Sequence, residues 1–141
     1  MFGFFKKSNN NDFTFSVSSN VPIEQIVESV PAKIWSYGFT LLQTYDYHEI
    51  VASKGFPIEG KVFVYEICKA KVASSILEVK PDFAPFMPCR IAIYEKDSGL
   101  CTISMPNMVP MLSTLPRDGG LYDDANELYQ VLKVLVRELA A

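Results

Sequence analysis

Apolar and polar residues alternate strictly over residues 13–18, where Phe13, Phe15 and Val17 are separated by Thr14, Ser16 and Ser18. Period-two alternation is the mark of a strand with one buried face. The period then changes. Ile23, Ile26, Val27, Val30 and Ile34 fall at helical spacing, with Pro22 and Glu24 suited to the first turn, so a helix is expected. Pro31 inside it removes one backbone hydrogen bond and crowds the Val27 carbonyl, which predicts a kink. Gly38 is placed to end the helix as a left-handed cap. Residues 39–47 are rich in aromatic and β-branched side chains and read as a second strand. Residues 48–60 contain Gly55, Pro57 and Gly60 and read as a loop.

The clearest strand covers residues 61–68, with Phe63, Tyr65 and Ile67 on one face and Val62, Val64, Glu66 and Cys68 on the other. A short helix over 69–79 turns Val72, Ala73, Ile76 and Leu77 inward and stops at Pro81. Three prolines and two phenylalanines make residues 81–88 a stiff apolar loop. Two strands, 89–95 and 100–105, flank Asp97, Ser98 and Gly99, which suit a three-residue hairpin loop with Gly99 left-handed. That register sets Ile93 opposite Ile103, Ile91 opposite Met105 and Glu95 opposite Cys101, so apolar meets apolar. Residues 106–120 are irregular, with Gly119 and Gly120 as a hinge. Beyond Tyr122, the spacing of Ala125, Leu128, Leu132, Leu135 and Leu139 predicts a long amphipathic helix. Asp123, Asp124 and Glu127 complement its positive end, and Arg137 its negative end.

The order β-α-β-β-α-β-β-α predicts an α+β fold of two layers, a mainly antiparallel sheet with helices packed on one face. Residues 12–141 read as a single domain, and residues 1–11 as a flexible tail. A chain of 141 residues with 49% hydrophobic and 21% charged residues can bury a core without disulfides or metal. Its net charge of −3 argues against nucleic-acid binding by bulk charge. No apolar run approaches the ~18 residues of a membrane span, so no integral membrane association is expected. In the first seven residues the aromatics Phe2, Phe4 and Phe5 precede Lys6 and Lys7, the reverse of a secretory signal. Aromatic and cationic residues together also suit a small interfacial anchor. The three cysteines, Cys68, Cys89 and Cys101, are odd in number and widely spaced, so reduced thiols and a cytoplasmic setting are expected.

The segments Tyr65-Glu66-Ile67-Cys68 and Pro85-Phe86-Met87-Pro88-Cys89-Arg90-Ile91-Ala92-Ile93-Tyr94-Glu95, with the preceding amphipathic helix and Gly38-Phe39, carry a resemblance. Over roughly residues 13–139 the chain resembles the bacterial and archaeal domain-of-unknown-function family 302. The resemblance implies a small α+β domain, often dimeric, with no agreed activity. It also implies a cysteine ending one strand and a Pro-Cys pair opening a later one, matched here by Cys68 and Pro88-Cys89. Lys69-Ala70 stands where the family usually has Asn-Pro.

No HExxH, GxSxG, P-loop or GxGxxG pattern is present, so no reaction is indicated and neither metal nor cofactor is predicted. Cys68 and Cys89 form a candidate thiol site. Lys69, Lys71 and the start of a helix lie beside Cys68, and cations or a helix N-terminus lower a thiol pKa. The competing reading makes both thiols small buried hydrophobes. Cys89 and Cys101 are expected about 20 Å apart, at ~3.3 Å per strand residue, too far for a disulfide. Met105, Met108 and Met111 supply soft donors or adaptable apolar surface. With Tyr65 and Tyr94 they are candidate ligand or interface residues, and Trp35 is a further apolar candidate. His48 stands alone near Asp46 and Glu49. The apolar loop over 106–115 needs cover, from the domain or from a partner. The leading expectation is a cytoplasmic, self-associating binding module, a homodimer without catalysis of its own, holding a small apolar or redox ligand. The rivals are a thiol-dependent redox or sulfur-handling protein centred on Cys68, and a soft-metal or haem carrier.

Overall fold

The computed structural model describes residues 8–96 and 99–141. The elements run β1 (Ser8–Asn10), β2 (Thr14–Ser19), α1 (Ile23–Ser36), β3 (Thr40–Asp46), α2 (Tyr47–Ser53), β4 (Val62–Cys68) and α3 (Ala70–Val79). A 3₁₀ helix (Pro81–Phe86), β5 (Cys89–Glu95), β6 (Cys101–Pro106), α4 (Val109–Leu112) and α5 (Leu121–Leu139) follow. The strands form one six-stranded sheet in the order β1-β2-β6-β5-β4-β3. Every adjacent pair is antiparallel.

The α+β class and the helices on one face are as the hydrophobic pattern requires. Phe15 and Val17 of β2, Cys101, Ile103 and Met105 of β6, Ile91 and Ile93 of β5, and Tyr65 and Ile67 of β4 are all buried. They meet Ile23, Ile26, Val30 and Ile34 of α1 and Leu128, Leu132, Leu135 and Leu139 of α5 in one core. The other sheet face carries most of the strands' polar residues beside Val62, Val64 and Ala92. Ser16 and Ser104 share a hydroxyl hydrogen bond of 2.8 Å, and Arg90 pairs with Glu66 at 3.2 Å. The β5–β6 register sets Ile93 opposite Ile103 and Glu95 opposite Cys101, as expected. Gly99 is left-handed at φ 74°, while Asp97 and Ser98 lie outside the described residues.

Gly38, at φ 82°, caps α1 as anticipated. Its N–H donates to the Trp35 carbonyl at 2.9 Å, and that of Phe39 to Ile34 at 3.1 Å. This double bond to the last helical turn is a Schellman motif. α1 continues through Pro31 as one helix. At its C-terminal end the Tyr37 hydroxyl donates to the Glu138 carboxylate of α5, and Lys33 Nζ donates to the Glu138 carbonyl at 3.0 Å.

Several expectations are corrected. Residues 48–60 are not all loop. Tyr47–Ser53 is a helix whose N-cap, Asp46, accepts from the Glu49 N–H at 3.2 Å. His48 is part-buried, and its Nδ1–H donates to the Gly60 carbonyl at 3.1 Å, which fastens α2 to the approach of β4. Within the tail expected over 1–11, Ser8–Asn10 is instead a strand that pairs with β2. Residues 1–7, including Phe2, Phe4, Phe5, Lys6 and Lys7, lie outside the described residues. Phe13 is 82% exposed because it sits in the β1–β2 turn, where the Asn11 side chain accepts from the N–H groups of Phe13 and Thr14. Trp35 is 78% exposed, and Leu77 of α3 faces outward. Pro81–Phe86 and Val109–Leu112, expected as irregular, each form a short helix. Among the described residues, no helix is long and apolar enough to cross a membrane.

Candidate functional site

At one end of the sheet, β4 stops at Cys68 and β5 starts at Cys89. The ladder pairs Cys89 with Ile67, so the two cysteines are neighbours across adjacent strands. The chain leaves β4 through Lys69 into α3 and reaches β5 from the 3₁₀ helix through Met87 and Pro88. α4 and the first half of α5 close over this end. Together these elements enclose a hollow of about 50 Å³. Cys68 and Cys89 both line it, with Met87, Met108 and Met111. The rest of the wall is apolar, including Ile67, Val72, Ile76, Phe83, Leu112 and Leu128. Lys69 is the one charged lining residue. Its ammonium also sits 5.3 Å from the centre of the Phe39 ring.

A second hollow of about 190 Å³ adjoins the first and shares Phe86, Pro88, Cys89, Met108 and Met111 with it. Met105, 3% exposed, lines this second hollow. Of the chain's three cysteines and five methionines, two cysteines and four methionines thus converge on one end of the fold. Cys101 is apart, buried beneath the sheet at the far end of the β5–β6 ladder. All three cysteines are free thiols, and the pairing of Cys101 with Glu95 keeps it six residues along the ladder from Cys89.

Burial pushes the Cys89 thiol up to about 11, with a further rise from Cys68 beside it and only a partial offset from Arg90. Cys89 is therefore a protonated thiol at neutral pH. The Arg90 guanidinium is engaged with Glu66 at 3.2 Å. α3 does begin just after Cys68, at Ala70, with Lys69 as its N-cap. No group of three or more His, Cys, Asp or Glu side chains converges among the described residues.

The remaining sequence candidates divide. Met105, Met108 and Met111 are brought to the site, and Tyr65 and Tyr94 are not. Tyr65 is a core residue, 2% exposed, whose hydroxyl has no partner among the described residues. Tyr94 stands opposite Val62 and Thr102 on the sheet face away from the core. The apolar loop over 106–115 is covered in part by the domain itself: Leu112 and Leu115 are buried and Met108 and Met111 pack against the core, while Val109 is 60% exposed. Sequence reasoning missed Phe83, Ala125 and Leu128 as site residues.

Residues 15–139 match the family described as Domain of unknown function DUF302. The chain belongs to this family. Its fold is also that of a solved structure, the crystal structure of the uncharacterized conserved protein DUF302 from Bacillus stearothermophilus. The two share 19% identity, with a TM-score of 0.79 over 93% of this chain and 100% of that one. At that identity the likeness is one of fold. No curated protein matches the sequence. The family resemblance carried by Cys68 and Pro88-Cys89 therefore holds, and in this DUF302 domain those residues meet at one hollow.

Proposed function

We propose that this DUF302 domain is a binding module without catalysis of its own, and that it takes a small apolar or soft ligand in the hollow between Cys68, Cys89 and Met111. The observation that carries this reading is the convergence of five sulfur side chains, Cys68, Cys89, Met87, Met108 and Met111, on an apolar hollow with a single charged lining residue. Binding sites for small molecules are typically concave, mostly apolar and sparing in polar groups. A water needs ~10–15 Å³ of such space, so the smaller hollow suits an ion or a few-atom group. The reading requires no second copy of the chain, because one copy supplies every residue that lines the hollow. Cys89, protonated at neutral pH, is better suited to lining a site than to attacking a substrate.

The test is native mass spectrometry of the chain taken directly from its host's extract. An adduct of fixed mass is expected on the native chain. It should be lost from Ala73→Leu, which places a larger side chain in the wall of the hollow. A bare chain alone, or an adduct indifferent to Ala73→Leu, would remove the reading.

A further inference from the structure

We infer that the hollow is a site for a soft monovalent cation, Cu(I), with the Cys68 and Cys89 sulfurs as its anionic ligands and one or more of the Met87, Met108 and Met111 thioethers completing its shell. This rests on the reading of the hollow as a ligand site and names the ligand's class. Three observations carry it. Cys89 lies opposite Ile67, the residue before Cys68, on an adjacent strand about 4.8 Å away, and both cysteines line the same hollow at the strand ends. Three methionines line that hollow as well. The lining includes no carboxylate, imidazole, hydroxyl or side-chain amide.

The donor set selects the metal. Calcium and magnesium are held chiefly by carboxylate and other oxygen ligands, and no side-chain oxygen lines this hollow. A structural zinc site takes four Cys or His ligands, and only two such side chains line this hollow. Thiolate and thioether donors are soft and favour Cu(I). Binding is a simple exchange. The Cys68 and Cys89 S–H bonds break, two Cu–S bonds form, and two protons leave to solvent with no change of oxidation state. The bis-thiolate complex carries one net negative charge. Lys69 is the cation on hand at the wall to balance it.

The experiment titrates the reduced, metal-free full chain with Cu(I) under argon, against a chromophoric bathocuproine chelator. X-ray absorption of the loaded protein reads the donor atoms. One Cu(I) per chain in an all-sulfur shell is expected. Cys68→Ala and Cys89→Ala should each weaken retention at least about tenfold, ~1.4 kcal/mol. Met111→Leu should weaken it less. Cys101→Ala, outside the hollow, should retain the ion, and circular dichroism melts would show that each variant is folded. Surrender of all Cu(I) to the chelator, nitrogen or oxygen in the shell, or undiminished retention by the Cys68→Ala/Cys89→Ala double variant would overturn the assignment. An organic adduct in native mass spectra without Cu(I) retention would sink Cu(I) and leave the binding-module reading standing. Absence of both would remove the two together.

Discussion

Two residues show how burial is recorded in protonation. Tyr65 places a hydroxyl in the core with no hydrogen-bond partner among the described residues, and burial raises its pKa from 10.0 to about 12. An orphaned buried polar group costs ~1–3 kcal/mol. Tyr65→Phe keeps the ring and deletes the orphan, so it should raise stability by about 1 kcal/mol, read as a later urea midpoint at unchanged slope. A loss of stability would mean that the hydroxyl has a partner. Cys89 shifts the same way, from 9.0 to about 11, through burial and the nearby Cys68. The sign follows from linkage. The native state holds protons that the unfolded chain releases, so the stability these groups contribute is complete below about pH 9. It falls as pH rises through 9 to 11 for Cys89 and through 10 to 12 for Tyr65. The steepest loss is ~1.4 kcal/mol per pH unit for each group. Urea unfolding followed from pH 7 to 11 should show a plateau and then a decline, and a Cys89→Ala variant should decline later. Stability that rises across this window would contradict the burial of both groups.

At the level of the element, local chemistry decides where helices begin and end. The end of α1 rests on Gly38 at φ 82°, a conformation that costs an L-residue ~1–2 kcal/mol. An added Cβ would meet Lys69 Cε at 3.6 Å, an ordinary contact, so the cost of Gly38→Ala is conformational and not steric. That variant should lose about 1 kcal/mol by urea unfolding and keep its fold. No loss would mean that the cap is not held. The start of α2 was also written in the chain. Asp46 and Glu49 have capping-box spacing, and the Asp46 carboxylate does accept the Glu49 N–H. Gly55 and Pro57 masked that signal, because a seven-residue helix leaves little room for an apolar period to show. β1 was hidden for a related reason. Three polar residues have no hydrophobic alternation, and only the Asn11 turn and a partner strand make them a strand.

At the scale of the molecule, the sulfur-lined end of the fold is a product of topology. Cys68 and Cys89 were visible as a pair of strand-end cysteines, and Met105, Met108 and Met111 as a soft-donor series. Their meeting was not visible. It depends on antiparallel pairing of β4 with β5 and on α4 and α5 folding back over the ends of those strands. The same closure buries Leu112 and Leu115 of the loop over 106–115 and leaves Val109 exposed. Local periodicity and backbone preference act within a few residues. They were enough to determine the long helices, five of the strands, the β5–β6 register and the two-layer class. Which side chains from distant segments share a hollow is set by non-local packing, and a thiol's proton affinity by the solvent that packing excludes. Those properties belong to the tertiary structure alone, because no local stretch of chain can express them.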